Sequence, residues 1–443
     1  MGIALRMTCI RSVQSNDISL DKTRRHVMSA ADYSTQVVGA KQRNRWTVAW
    51  LLFAITVINY ADRGVLGVVA PVLIKTFGLS IKQFGIIASG FGWGYVLMVF
   101  LGGGVVSLLG PKKTFIYSSV LWSFAIMLVG AASGFASLLG LRILFGASEG
   151  VAFPSGSQLI GNWFPDKEHG RAACLMGAGI PLGSLIIIPI AVWLTSAYGW
   201  QAPFILLGVV GLFWAILCKV FISNKPAGVS PQSIDASAAN TTRAPWGRIL
   251  GSKTLWLTGL AFFSSAYVLY FLLNFLPTYL VRERHMEFSH IAYFGSLPWI
   301  FMTIGALLSG PISDFVYKKT GSLRWGRSYL AGICLVLTGL IISLTLFVTN
   351  TYLIVILISI ASLINFTANP IFFAIPIDAC PESGGAASSL TTGIGSLAGI
   401  FAPLLTGFIV NATGTFYLAF MLVSVLPIVF GVLLIVACDP RKL

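Results

Sequence analysis

Charged side chains are scarce in this sequence. Asp, Glu, Lys and Arg together make up 10% of the 443 residues, whereas a soluble domain carries about 25%. More than half of the chain, 56%, is hydrophobic, and the mean hydropathy is +0.86. The shortage of charge excludes an ordinary soluble core, and apolar runs recur from one end of the chain to the other. The composition therefore predicts an all-α, polytopic membrane protein.

Residues typical of metal sites, redox centres and hydrolases are also few. The six cysteines form no C-x-x-C pair and have no histidine nearby, so the sequence predicts neither a disulfide framework nor a metal site. The four histidines, at positions 26, 169, 285 and 290, fall in predicted loops or in the N-terminal tail. No Ser/His/Asp set lies in an apolar run, and the glycine-rich segments follow no strand, as a nucleotide site would require. We therefore expect no cofactor, no enzymatic activity and no ATP-driven process.

Twelve apolar runs are each long enough to cross a bilayer, which takes about 20 residues. They cover 46–72, 84–108, 113–133, 137–163, 172–197, 200–222, 254–281, 289–315, 327–348, 351–378, 386–410 and 415–437. If the N-terminus is cytoplasmic, 23 of the 29 Lys and Arg residues fall on the cytoplasmic side. This positive-inside pattern predicts a multi-pass protein of the inner (plasma) membrane with both termini in the cytoplasm. It also explains the net charge of +15 without a nucleic-acid partner.

One polar segment, 223–252, separates six runs from six, as a flexible linker would. We expect a cytoplasmic basic tail at 1–45, an N-terminal six-helix bundle at 46–222, a cytoplasmic central loop at 223–252, a C-terminal six-helix bundle at 253–438 and a cytoplasmic tail at 439–443. The first 45 residues lack the apolar core of a signal peptide. Met28 begins a more compact lead-in to the first run and is an alternative to Met1 as the start of translation.

The two halves share local patterns that indicate an internal repeat. Residues 103–107, at the end of the second run, correspond to residues 310–314 at the end of the eighth, and a Lys-Lys pair follows each. Three glycines recur at one spacing in the fifth run (177, 179 and 183) and in the eleventh (393, 395 and 399). We expect these glycines to be close contacts between two rocking bundles. Repeats of this kind are typical of transporters, whose binding site lies at the midplane between the halves.

Several short motifs carry a resemblance to a known family. They are Ile58-Asn59-Tyr60-Ala61-Asp62-Arg63, Arg142-x6-Glu149-Gly150, Asn162-Trp163-Phe164-Pro165, Leu276-Pro277-Thr278-Tyr279-Leu280 and Gly399-Ile400-x-x-Pro403. With the six-plus-six layout, the chain resembles the major facilitator superfamily over residues 46–438. More narrowly, it resembles the anion:cation symporter branch, which includes galactonate, glucarate, hexuronate and phthalate permeases. The resemblance implies twelve transmembrane helices in two six-helix bundles and transport by alternating access.

Four ionisable residues lie deep in the apolar runs, where such groups are costly and usually functional. They are Asp62 and Arg63 in the first run and Arg142 and Glu149 in the fourth, two turns apart on one helix face. We expect Asp62 and Glu149 to carry protons while Arg63 and Arg142 engage a carboxylate, because protonation of an acid would release its arginine. The resemblance implies the same roles. The alternative is a permanent ion pair that only fixes the helices.

Aromatic and polar side chains complete the predicted binding site. The substrate-binding candidates besides the arginines are Tyr60, Tyr95, Asn369, Phe373, Thr392 and Ser396, and weaker candidates are Tyr270, Asn274, Asn365 and Phe372. For Tyr95 the role is implied by the resemblance. Sugar-acid members commonly carry an asparagine in the eleventh run and a tryptophan in the tenth, which this chain replaces with hydroxyl and phenyl groups. This departure favours less hydroxylated or aromatic carboxylates.

The sequence predicts a proton-coupled importer of a small organic anion that works as a monomer in the lipid bilayer. Alternatives are a proton-antiport exporter of drugs or metabolites and a membrane sensor that transports nothing. The turn after the second run lacks the acidic residue common in the superfamily, whereas Asp314 keeps it in the second half. We expect Asp314, Lys112 and Lys113 to take part in gating, with Asp314 meeting a helix N-terminus and an arginine of the other bundle.

Overall fold

The structure is a computed structural model, and it describes residues 30–164, 166–222, 246–380 and 383–439. The chain divides into two units, Met1–Asn44 and Arg45–Leu443, and all contacts given below lie within the second. Among the described residues every regular element is helical. Met28, most of the predicted central loop and the last four residues lie outside the described residues.

Seventeen α-helices follow one another within these ranges. They are α1 (Ala30–Phe77), α2 (Ile81–Leu109), α3 (Pro111–Val129), α4 (Phe135–Glu149), α5 (Ala152–Trp163), α6 (Asp166–Tyr198), α7 (Ala202–Phe221), α8 (Trp246–Gly251), α9 (Lys253–Arg282), α10 (Ile291–Phe294), α11 (Leu297–Thr320), α12 (Leu330–Leu344), α13 (Thr351–Ala368), α14 (Ile371–Ala379), α15 (Gly384–Ser396), α16 (Ala398–Thr413) and α17 (Tyr417–Ala437). A π-helical turn, Trp325–Tyr329, leads into α12. The first half below means α1–α7, and the second half means α8–α17.

Eleven segments of the described chain are long and apolar enough to cross a membrane, and they match eleven of the twelve predicted runs. The remaining run is α3, which has 19 residues but carries two lysines in its first turn and contains several serines. Those serines bond to their own helix, since the hydroxyls of Ser119 and Ser123 donate to the carbonyls of Phe115 and Ser119 at 2.6 and 2.7 Å. Because such hydroxyls keep a partner without water, α3 can also lie in the membrane. The predicted all-α membrane fold is confirmed.

Three of the crossing segments are broken near their middle. The fourth divides after Glu149, the tenth at Asn369 and Pro370, and the eleventh at Leu397. Pro370 has no N–H to continue the hydrogen-bond ladder of α13. Transporters commonly use discontinuous helices at their binding sites, because the broken ends expose backbone dipoles to a ligand. The breaks put predicted site residues at helix ends.

The two halves pack closely where α1 ends and α2 begins. A Cβ atom on Gly67 would stand 1.9 Å from the carbonyl oxygen of Leu273, so α1 and α9 touch backbone to backbone. A Cβ on Gly85 would stand 2.8 Å from the Cα of Gly407, which brings α2 against α16 in the same way. Phe84 packs edge-on against a phenylalanine of α9. This region, named here the glycine-packed end, is the end predicted to face outside.

The prediction for the fifth-run glycines was wrong. Gly179 and Gly183 do not join the two halves, because their faces meet α1 at the carbonyl oxygens of Phe53 and Val57. Small residues four apart form one flat stripe on a helix, and here that stripe serves packing within the first half. In the eleventh run Gly395 packs on Phe262 of its own half, whereas Gly399 meets the backbone of α2 as well as α9.

Candidate functional site

Arg63 of α1 and Glu149 of α4 form a buried ion pair in the first half. The Nε of Arg63 donates to Oε1 of Glu149 at 2.6 Å, and Nη2 contacts the same oxygen. Both side chains are excluded from solvent. Glu149 is the last residue of α4, and its other carboxylate oxygen, Oε2, has no hydrogen-bond partner among the described protein groups. The first and fourth crossing segments therefore meet through one charge-assisted contact.

Three aromatic rings surround the guanidinium of Arg63. The rings of Tyr60, Phe91 and Tyr95 each have their centroid 4.6 Å from its Cζ. Tyr60 precedes Arg63 by one turn of α1, so the two side chains share a helix face. Rings in this position attract a cation through their negative faces, and they exclude water from it. These three rings, called here the Arg63 pocket, therefore stabilise the guanidinium of Arg63 in its charged form.

The second half reaches this pocket through Tyr270 of α9. Its hydroxyl accepts a hydrogen bond of 3.1 Å from Nη1 of Arg63. The ring lies against Gly399, where an added Cβ would be 3.1 Å from the ring. The amide of Asn274 donates to the backbone carbonyl of Tyr270 at 2.8 Å, which fixes the helix rather than the pocket. Tyr270, a weaker candidate in the sequence, therefore contacts the charged residues directly.

Asp62 and Arg142 are buried in the same region but form no ion pair with each other. They are 1% and 2% exposed. Neither carboxylate oxygen of Asp62, and neither Nε nor Nη1 of Arg142, has a hydrogen-bond partner among the described protein groups. The guanidinium of Arg142 lies 5.3 Å from the ring centroids of Phe91 and Phe145. In this conformation the four predicted charged residues thus form one ion pair and two unpaired groups. We expected each arginine to be paired with an acidic residue. Asp62 is the neighbour of Arg63 on α1 and points about 100° around the helix from it.

The predicted binding residues of the second half are not bonded to this charged set in the part of the chain that the structure describes. No hydrogen bond or ring contact among the described residues joins Asn369, Phe373, Thr392 or Ser396 to the four charges. Phe373 is 41% exposed and packs against Phe262, with 5.2 Å between ring centroids. The other three are half-buried at or near the breaks in the tenth and eleventh segments. Their role in binding stays a prediction.

The predicted gating residues occupy the other end of the bundle. Nζ of Lys112 donates to the carbonyl of Lys219 at 3.1 Å within the first half, and Lys113 is exposed. Asp314 is also exposed, and no ion pair joins it to another residue of the described ranges. Their part in gating stays a prediction.

The polar contact beside Asp314 is made by its neighbour, Ser313. Arg327, in the π-helical turn, donates from Nη1 to the hydroxyl of Ser313 at 2.6 Å and from Nε to Asp378 at 3.1 Å. Ser313 in turn donates to the carbonyl of Gly326 at 2.8 Å. This network links the end of the eighth segment, the start of the ninth and the end of the tenth within the second half.

Phe91 is the site residue that the sequence analysis did not identify. It is 3% exposed, stacks on Tyr95 with 5.4 Å between centroids, and lies near both Arg63 and Arg142. The available signal was its position one turn before Tyr95 on the same face of the second run. That signal is weak, because aromatic residues at helical spacing usually pack against a neighbouring helix.

Comparison with known proteins agrees with this architecture. The family model described as Major Facilitator Superfamily matches residues 52–322. The chain is 34% identical over 385 residues to a hexuronate transporter of Bacillus subtilis, covering 86% of this chain and 91% of that protein. It is 31% identical to a probable sulfoacetate transporter of Cupriavidus necator, covering 82% and 87%. It is 29% identical to a probable galactarate/D-glucarate transporter of Bacillus subtilis, covering 86% and 89%.

A solved structure supports the fold independently. A bacterial homologue of the human lysosomal transporter Spinster, in an inward-facing and unoccupied conformation, superposes with a TM-score of 0.72. The match covers 88% of this chain and 95% of that one. Because the two sequences are only 19% identical, this similarity is evidence for the fold alone. The predicted resemblance is confirmed by the family match and by the full-length relatives, all of which are transporters rather than enzymes. The chain belongs to the Major Facilitator Superfamily.

Proposed function

We propose that this protein imports a small organic anion together with protons by alternating access. The hexuronate, sulfoacetate and galactarate/D-glucarate transporters that it resembles support an organic anion as the cargo. The proton coupling rests on the ionisable residues of this chain. A sugar acid or another carboxylate, bound by arginine, is the cargo that these groups suit best.

One observation carries the proposal: the guanidinium of Arg63 is held by Glu149 in a pocket without solvent. An incoming carboxylate must compete with Glu149 for the same donors. A proton on Glu149 removes that competition, because a neutral carboxyl group attracts the guanidinium far less than a carboxylate does. Anion binding and proton binding thus favour each other, which is the requirement for symport.

Asp62 provides a second place for a proton. A buried carboxylate without a partner is strongly unfavourable, so we infer that Asp62 carries a proton in the conformation described here. When the site opens to water the carboxylate can ionise again and the proton can leave. Tyr60 and Tyr95 line the Arg63 pocket, where their rings and hydroxyls can contact the bound anion. We assign proton transfer to Asp62 and Glu149, and anion binding to Arg63 and Arg142.

The orientation follows from the distribution of basic residues. We place the protein in the inner (plasma) membrane with both termini in the cytoplasm, because positively charged segments stay on the cytoplasmic side. We also propose that it is a monomer. In that orientation the glycine-packed end faces outside, so this conformation is closed to the outside. Rocking of the halves would separate Gly67 from Leu273 and open the Arg63 pocket to the exterior.

Uptake into proteoliposomes tests the proposal. Vesicles at internal pH 8 are placed in buffer at pH 6 with radiolabelled D-glucuronate or D-glucarate, and uptake is compared with that at equal pH. We expect gradient-driven accumulation in the wild type and none in Asp62→Asn, which should still bind the anion. Glu168→Gln is the matched control, because Glu168 forms a partly exposed ion pair with Arg45, away from the four charges.

Two outcomes would overturn the proposal. Unchanged proton-driven uptake in Asp62→Asn would remove the proposed coupling. Loss of preloaded anion when the outside is acidified would indicate antiport, and hence export.

A further inference from the structure

Arg142 is a buried cation whose donors are not used by the protein. Its side chain is 2% exposed, and neither Nε nor Nη1 has a partner among the described protein groups. The rings of Phe91 and Phe145 lie against the guanidinium. A buried guanidinium with unsatisfied donors is costly, so the arrangement is explained best by an anionic group that binds there during part of the cycle.

The two arginines of the site lie over the same aromatic ring. The Cζ atom of Arg63 is 4.6 Å from the centroid of Phe91, and that of Arg142 is 5.3 Å from it. The two guanidinium carbons therefore cannot be more than about 10 Å apart. A carboxylate on an arginine places its carbon about 4 Å from Cζ, given N–H···O distances near 2.8 Å. A molecule with two anionic groups a few bonds apart can thus reach both arginines at once.

We propose that the preferred substrate is a dianion, with a carboxylate on one arginine and a second carboxylate or a sulfonate on the other. This inference rests on the proposed function, since it assigns the cargo of the same site. The charges of the four buried residues agree with a dianionic substrate. With both Asp62 and Glu149 protonated, Arg63 and Arg142 leave a charge of +2, which a dianion neutralises. The loaded site is then electrically balanced with two protons bound.

A monoanion would occupy the site less well. It can satisfy one guanidinium, and the other would remain buried without an anion. Removing one partner of a buried charge pair costs about 2–5 kcal/mol, which corresponds to about 30-fold or more in affinity. We therefore expect a diacid to bind at least about 30-fold more tightly than the monoacid of the same skeleton.

Matched pairs of ligands test this preference without knowledge of the natural cargo. D-Glucarate and D-gluconate differ in one terminal group, carboxylate or hydroxymethyl, and phthalate and benzoate form an aromatic pair. Dissociation constants are measured at pH 6 by calorimetry on the purified full chain in detergent. Arg142→Gln is expected to reduce the ratio of diacid affinity to monoacid affinity to about 1. Arg142→Lys should leave this ratio at an intermediate value, because lysine keeps the charge but loses the planar fork. Arg171→Gln removes an exposed arginine outside the site and should keep the wild-type ratio.

The outcomes separate this inference from the proposed function. Tighter binding of the diacid in at least one pair, lost in Arg142→Gln but kept in Arg171→Gln, supports it. Equal binding of diacid and monoacid by the wild type overturns it and leaves an anion transporter in place. A diacid preference that survives in a folded Arg142→Gln, as judged by an unchanged melting curve, also overturns it. If neither member of either pair binds, both the inference and the carboxylate cargo of the proposed function fail.

Discussion

The hydroxyl of Tyr270 is the contact through which the second half touches the charged residues of the first. It accepts a hydrogen bond of 3.1 Å from Nη1 of Arg63, while its ring packs on Gly399. Tyr270→Phe removes the oxygen and keeps the ring. The substitution therefore weakens one polar contact between the halves and changes little of their packing.

The size of the effect follows from the charge on the donor. A hydrogen bond to a charged group contributes about 1.5–3 kcal/mol, and its loss leaves a buried donor of Arg63 unsatisfied. In the proposed rocking motion this bond breaks when the halves separate, so its removal should lower the ratio of closed to open molecules by about 10- to 150-fold. More of the Tyr270→Phe population should then expose the glycine-packed end.

Cysteine labelling measures that exposure. In a chain whose six cysteines are replaced, Val68→Cys puts a small thiol at a buried position between α1 and α9, beside Leu273 and Trp299. A membrane-impermeant maleimide should modify it about 10- to 150-fold faster in Tyr270→Phe than in the parent. Tyr267→Phe is the control, since Tyr267 is buried on the same helix and its hydroxyl is not bonded to the charged residues. Equal labelling rates in the two tyrosine variants would show that the Tyr270 hydroxyl does not hold the halves closed.

Two further predictions concern the packing of Gly67 and the ion pair between Arg327 and Asp378. Gly67→Ala should destabilise the protein by about 1–3 kcal/mol in thermal melts, because the new methyl group would overlap the carbonyl of Leu273. Gly140→Ala is the control and should be neutral or slightly stabilising, since a Cβ atom there would meet nothing within 4 Å. An unchanged melting temperature in Gly67→Ala would contradict the close approach of α1 and α9. A double-mutant cycle on Arg327→Ala and Asp378→Ala should give a coupling energy of about 0.5–1 kcal/mol, since both side chains are about one-quarter exposed. A coupling energy of zero would mean that the pair contributes nothing.

Much of the fold was predictable because a membrane constrains a sequence strongly. Every backbone group in a bilayer must be satisfied within its helix, so long apolar runs can be read as helices with few alternatives. The lysines near the start of α3 and its serines make this helix less apolar than the others, and its apolar stretch still sufficed to predict it as the third run. The break at Pro370 follows from proline, but those at Gly150 and Leu397 depend on the neighbouring helices, which no local pattern shows.

The site was predictable in its charged residues and less so in their partners. The rarity of charge in apolar runs pointed to Arg63 and Glu149, which lie 86 positions apart and are joined in the structure. The same rarity pointed to Arg142 but could not show that it is left unpaired. Which charge meets which, and which ring lies between them, depends on helix rotation, and a rotation of one residue moves a side chain by about 100°. Phe91 was missed for this reason.

In the proposed function, anion binding and proton binding are coupled through the four buried charges. The pH dependence of anion affinity tests this coupling most directly, with D-glucuronate as the probe, measured by calorimetry between pH 6 and pH 8. If one proton enters with each anion, affinity should rise about tenfold for each unit that the pH falls, and more steeply if two enter. The double variant Asp62→Asn, Glu149→Gln should bind with an affinity that does not change with pH. A wild-type affinity that does not change with pH in this range, or a double variant that keeps the wild-type pH dependence, would contradict this coupling.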